Sequence, residues 1–195
     1  MPTVSTLDTL LVDNPPTAPI VANAAIVKAA TTSGANFGVG DIKVFTQYAT
    51  NVIIDINGYF AAPATGGLSY YPATPCRVLD TRQVPAGGTP PAPPVSGTVL
   101  VSMGGSSCGP FPSAQAYVFN ATVVPSPYLG YLALWPDVDA SGNPVSQPVV
   151  STLDALDSYI VSNMAIVPTG SDGNINAYVQ NPSALILDYS GFFAP

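Results

Sequence analysis

Short runs in which apolar and polar residues alternate recur along the chain, and proline or glycine separates them. In residues 183–193, two leucines and a tyrosine alternate with isoleucine, aspartate and serine, the period of two that is typical of a strand with one buried face. Gly191 then predicts a bend or a bulge. Three further strands are predicted at 97–103, 115–124 and 129–136.

The composition indicates an all-β protein with little helix. Twenty-two prolines and 17 glycines interrupt the 195 residues, and all 11 acidic residues are aspartate. Glutamate, lysine and most arginines, the usual helix formers of a protein surface, are missing, whereas Thr, Val, Ile, Tyr and Ser favour strands. With 47% apolar and 8% charged residues, the chain can bury a core. We expect β-sandwich or barrel-like modules.

An internal repeat divides the chain into unequal parts. Three segments recur in the same order, with Gln47, Asp55 and Gly58 of the first copy matching Gln180, Asp188 and Gly191 of the second. The segments are "PTVSTLDTL" (2–10) and "PVVSTLDAL" (148–156), "ANAAIV" (22–27) and "SNMAIV" (162–167), and 42–63 and 175–195.

The three strands predicted between 97 and 136 precede only the second copy. Residues 64–195 are therefore predicted to form a complete module, and residues 1–63 only the second half of one. Half a β-sandwich leaves its inner face exposed to solvent and its edge strands unpaired. Either the rest of the same chain covers this half, or a neighbouring chain supplies the missing strands.

The charge and the length of the apolar runs argue against two classes of partner, nucleic acid and membrane. The chain carries a formal charge of −7 and only four Lys and Arg residues, so no basic patch is expected for nucleic acid. No apolar run reaches the roughly 20 residues that a membrane-spanning helix needs. With so few surface charges, polar side chains, attached glycans or burial in an assembly must keep the protein soluble.

Cys76 and Cys108 are the only cysteines and flank a stretch rich in proline and glycine. A disulfide would stabilise the fold by roughly 3–4 kcal/mol in the loop-entropy model and would indicate an oxidising, extracytoplasmic compartment. The alternative is a pair of buried free thiols.

The stretch "PCRVLDTR" at 75–82 and the ending "LDYSGFFAP" at 187–195 resemble bacterial secreted and cell-surface β-modules, known from acidobacteria and, without the cysteine, from actinobacteria. These modules carry a P-C-R-[VL]-[LV]-D-T-R motif and end in D-[IV]-x-G-Y-F. The resemblance covers residues 70–195 and, as a half, 1–63. It implies an exported β-module without assigned chemistry.

Arg77, Asp80 and Arg82 of this motif are candidates for a structural ion pair beside the cysteines, because a guanidinium can bind a carboxylate through two nitrogens. The alternative is a reactive or ligand-binding pair formed by Asp80 and Arg82.

Asp137, Asp139 and Ser141 begin like a calcium-binding loop, although Pro148 stands where the bidentate glutamate belongs. The alternative is a plain hairpin turn. Calcium is thus the only cofactor considered.

Other side chains suggest weaker hypotheses. Asn120 begins an Asn-Ala-Thr glycosylation sequon inside a predicted strand. Trp135, with two nearby tyrosines, Tyr128 and Tyr131, forms either a sugar-stacking platform or part of the core. Asp55 and Asp188 would suit glycoside hydrolysis only if they were close together. The alternative is a solvent-facing aspartate on a strand of each copy.

The chain has no histidine and no glutamate, so a Ser/His/Asp triad and histidine acid–base catalysis are excluded. We therefore expect a non-enzymatic extracellular structural protein, a homo-oligomer or homopolymer that self-associates into a surface filament or sheath by strand complementation. The alternative is a carbohydrate- or partner-binding accessory module of a larger exported protein.

Overall fold

The computed structural model contains seven strands and no helix within the residues that it describes. The described residues are 24, 27, 29–34, 38–46, 49, 51–56, 58–62, 64–83, 93–109, 111 and 113–195. The strands are β1 (Ser69–Asp80), β2 (Val95–Val101), β3 (Ala116–Pro125), β4 (Gly130–Pro136), β5 (Leu153–Ala155), β6 (Val161–Pro168) and β7 (Ile175–Ala194). The all-β prediction is confirmed.

The 20-residue strand β7 organises the fold because it pairs with four other strands. Its first part, 175–179, lies between β2 and β4, and its second part, 183–194, lies between β1 and β3. β5 extends the sheet beyond β4, and β6 extends it beyond β3. Two four-stranded halves therefore share β7, as in a sandwich or barrel-like module, and all pairings are antiparallel.

The core lies between these halves. It forms one cluster of apolar side chains that includes the inward residues of β3, β4, β6 and β7. Along β7 the inward positions are Ile175, Ala177 and Val179, followed by Leu185 and Leu187, and all five are fully buried. The alternation read from the sequence is thus the alternation that builds the core.

At Gly191 the register of β7 against β3 shifts, so that Val118 lies opposite Gly191 and Phe119 opposite Tyr189. The shift turns Phe192 toward the core, while Phe193 lines a groove on the outside of the sheet. A side chain at Gly191 would collide with the ring of Tyr70 and the carbonyl oxygen of Tyr71, 2.6–2.7 Å from its Cβ. The predicted bulge is present, and its glycine makes room for β1.

The first copy of the repeat contributes no strand within its described residues. Its segment 2–10, most of 22–27 and Gln47 lie outside the described part of the chain. All seven strands fall within 64–195, the range expected to form the complete module. The division at residue 63 and the incomplete first half stay predictions.

Candidate functional site

A disulfide joins Cys76 of β1 to Cys108 in the loop after β2, with Cα atoms 5.7 Å apart. Both cysteines are partly buried against the core. The free-thiol alternative is therefore wrong. The bridge fixes the connection between β2 and β3 to strand β1, which carries the "CRVLDTR" motif.

The arginines of that motif form an ion-pair network on the surface of β1. Arg82 donates to Asp80 through Nε (2.8 Å) and Nη2 (2.7 Å), and Arg77 Nη1 donates to the same carboxylate (3.2 Å). Hydrogen bonds from Arg82, helped by the charges of both guanidinium groups, lower the pKa of Asp80 to about 2. The three residues are thus brought together as a structural cluster.

The network has a fourth member, which sequence reasoning treated as a solvent-facing strand residue. Asp188 of β7 accepts from Arg77 Nε (2.8 Å) and Nη2 (3.1 Å). The two residues lie opposite each other in the β1–β7 register. Asp188 of the repeated ending is therefore held by the motif of β1, and this pairing links the two signatures of the module.

The three candidate calcium ligands do not point to one place. Asp139 Oδ1 accepts from the backbone N–H groups of Ser141 (2.8 Å) and Asn143 (2.9 Å), which closes a hairpin turn. Asp137 Oδ1 is instead buried beside Gly170, where Asp172 Oδ1 also lies. No group of three or more acidic, cysteine or histidine side chains able to hold a metal occurs among the described residues. The geometry matches the hairpin alternative.

The aromatic and glycosylation candidates are separated. Trp135 is buried, and its Nε1 donates to the carbonyl oxygen of Val145 (2.9 Å), so its ring belongs to the core and is no sugar platform. Tyr131 contacts Tyr178 instead, and Tyr128 is half-exposed. Asn120 lies on the exposed face of β3, with Nδ2 3.4 Å from Thr122 Oγ1.

The strongest feature for function is the contrast between the two copies of the repeated ending. Residues 51–60, here called the uncovered segment, match 184–193 with a constant offset of 133 residues. Val52, Ile54 and Ile56 are exposed by 51%, 54% and 85%, whereas their equivalents are exposed by at most 3%. Those equivalents are Leu185, Leu187 and Tyr189.

The aspartate and the glycine of the repeated ending also have different surroundings in the two copies. Asp188 is bound by Arg77, whereas Asp55, which is exposed, has no ion pair in the described part of the chain. Gly191 lies under Tyr70, whereas a side chain at Gly58 would meet no atom within 4 Å. The uncovered segment thus has the sequence of a central strand, but its apolar side chains are exposed.

The uncovered segment ends next to an apolar groove on the outer face of β3, β6 and the end of β7. Its lining residues are Phe60, Tyr70, Val118, Met164, Ile166 and Phe193. The first copy also reaches the module at a second point, where Ala24 N–H donates to Oδ1 of the buried Asn163 (2.8 Å). Both contacts involve β6 or the groove beside it.

Comparison with protein-family models, curated proteins and solved structures finds no match for this chain. The resemblance to bacterial surface modules therefore stays a prediction. No helix among the described residues is long and apolar enough to cross a membrane.

Proposed function

We propose that this protein is an extracellular structural protein whose copies associate through strand complementation into a filament or sheath. The single observation that carries the proposal is the uncovered segment. It keeps the apolar pattern of a buried central strand, yet its inward positions are exposed, while the same positions in β7 are fully covered.

The free energy at stake is large enough to drive association. Burying one valine or isoleucine side chain contributes roughly 1.5–3 kcal/mol, and this segment exposes Val52 and three isoleucines. A segment with the apolar pattern of a strand is also suited to pairing with the sheet edge of another chain. The donating surface lies in the first copy and the module lies in the second, so the contact is heterologous and generates an open polymer.

Three further observations favour an exported protein without catalytic chemistry. The disulfide is typical of an oxidising compartment. The sequence offers no histidine, and the carboxylates of Asp80 and Asp139, whose pKa values are lowered, lie in an ion pair and in a turn. Attached glycans on Asn120 or on the many hydroxyl residues stay part of this proposal.

The test uses the full, oxidised chain. Sedimentation velocity over a hundredfold concentration range, followed by negative-stain microscopy, is expected to reveal long polymers. Ile56→Asp places a charge on the uncovered segment and is expected to raise the concentration needed for assembly at least tenfold. Val149→Asp, at a fully exposed residue outside that segment, is the control and should assemble like the wild type. A folded chain that stays monomeric throughout would refute the proposal.

The binding-module alternative has one observation in its favour. A shallow cleft at the β4–β5 edge is lined by Tyr131, Asp154 and residues 148–151, and an aromatic ring beside a carboxylate suits a sugar. A monomer that binds glycans on an array, and loses binding on Tyr131→Ala, would favour this function.

A further inference from the structure

We infer that the outer edge of β6 is the acceptor for the uncovered segment of a second copy, which adds to the sheet as an extra strand. This inference rests on the proposed function and names the surface through which it acts. The described residues leave four sheet edges unpaired, those of β1, β2, β5 and β6.

Three of these edges carry features that prevent strand addition. β1 contains Pro72 and Pro75, which lack N–H groups, and its pairing with β7 shifts register twice. β2 contains Gly97 with φ of +77° at a register shift. β5 has only three residues. Prolines, bulges and short length are the devices by which natural sheets protect their edges.

β6 lacks all of them, and the hydrogen bond that it receives from Ala24 of the same chain goes to the side chain of Asn163. It runs for eight residues, has no charged side chain, and has proline only at its last position, Pro168. Its eight pairs with β3, from Val123↔Val161 to Ala116↔Pro168, follow without a register shift. A long, flat, uncharged edge is a template for another strand. In a chain with a charge of −7, it is also a place where two copies approach without direct repulsion between side chains.

The surface beside this edge fits the occupant. The outward side chains Met164 and Ile166 of β6 form one wall of the apolar groove, and Phe60, the last residue of the uncovered segment, lies at its other end against Phe193. Within one chain, the rest of that segment is not laid on β6, because Ile53 and Ile56 remain about 85% exposed. A second copy can therefore place its own segment along β6 and pack its isoleucines over Met164.

No native strand has to leave for this contact. Inserting the uncovered segment between β1 and β3 would displace the second part of β7 and would replace Leu185 and Tyr189 by the smaller Val52 and Ile56. Addition at β6 keeps the whole core and gains new backbone pairs. The geometry therefore favours edge addition over strand exchange.

The first test places lysine on the edge. Met164→Lys is expected to raise the concentration needed for assembly at least tenfold, because a charge would enter the groove. Leu100→Lys, which makes the same change on the protected strand β2 where Leu100 is half-exposed, should assemble like the wild type. Assembly of folded Met164→Lys at the wild-type concentration would overturn the inference while leaving the proposed function intact. A wild-type chain that never assembles would instead refute the proposed function.

A second test does not depend on a variant being as stable as the wild type. Benzoylphenylalanine at position 164 is mixed with a ¹⁵N-labelled wild-type chain, assembled and irradiated, and the linked peptides are identified by mass. After the disulfide between Cys76 and Cys108 is reduced, trypsin releases residues 44–77 as one peptide, and we expect it to be linked in its labelled form. The same probe at position 100 is the control. Assembled protein in which position 164 links to any other labelled peptide would overturn the inference.

Discussion

Phe60 and Phe193 hold equivalent positions in the two copies of the repeat and lie against each other, with ring centroids 6.0 Å apart and planes inclined by 49°. Contact between equivalent residues is the arrangement found beside a two-fold axis. The end of the first copy thus meets the same end of the second. Tyr70 extends the aromatic cluster, 5.2 Å from Phe193.

The two equivalent glycines should respond differently to substitution. Gly191→Ala is expected to destabilise the module by about 1–3 kcal/mol, because its Cβ would press on the backbone of β1 at Tyr71. Gly58→Ala is the matched control and should change the free energy of unfolding by less than about 0.5 kcal/mol. Urea denaturation followed by tryptophan fluorescence measures both. Equal effects would contradict the claim that only the second copy is covered by β1.

Loss of the disulfide should weaken the module without changing its fold. The bridge closes a separation of 32 residues, and replacing both Cys76 and Cys108 by alanine is expected to cost roughly 3–4 kcal/mol by the loop-entropy model. Thermal and urea unfolding of the variant and of the wild type, both under oxidising conditions, measure the difference. A variant as stable as the oxidised wild type would disagree with this expectation.

Asp80 should make the module sensitive to acid. Its pKa falls from the ordinary value of 3.8 to about 2 in the folded state, so its ion pairs stabilise the fold above about pH 4. This stability is lost as the pH falls from 4 toward 2. Asp80→Asn is expected to cost about 1–3 kcal/mol at pH 7 and to lose less stability on acidification. Asp157→Asn, at an exposed turn, is the control for removing one carboxylate.

Asp137 should have the opposite dependence on pH. Burial and the nearby charge of Asp172 raise the pKa of Asp137. Its contribution is therefore greatest below the ordinary carboxyl pKa of 3.8 and is lost as the pH rises through the raised value. Asp137→Asn is expected to stabilise the module by about 0.5–1.5 kcal/mol at pH 7, because an uncharged amide can donate to Asp172. The gain should shrink toward pH 4, and a gain that grows on acidification would contradict the assignment.

Much of the sheet could be predicted from alternation alone. The strands expected at 97–103, 115–124 and 129–136 correspond to β2, β3 and β4, because each runs between turns with a regular buried face. β1 was missed, because Pro72 and Pro75 disfavour a strand unless it lies at an edge with bulges. The sequence pattern predicts β7 only from residue 183. The strand begins at Ile175 and continues through Pro182, in the region where β7 changes its partner strands.

The candidate site depends on which strands pair and in which register. The apolar pattern of a single strand does not contain this information. The structural role of Arg77, Asp80 and Arg82 followed from the chemistry of guanidinium and carboxylate groups. The partnership of Arg77 with Asp188 required the register of β1 on β7, and the open edge of β6 required the order of the whole sheet. The turn at Asp139 and the buried place of Trp135 were among the alternatives read from the sequence, and only the three-dimensional contacts decide between them.

The position of β7 in the chain has a consequence for how the protein is made. β1 and β2 meet β3 and β4 only through β7, and β7 is the last strand of the module. Until residues 175–194 are available, β1 and β2 lack any partner and β3 and β4 lack their second one, and the contacts that these strands form with β7 are far apart in sequence. The complete module can therefore form only after its last strand has been synthesised, and we expect its folding to be slow.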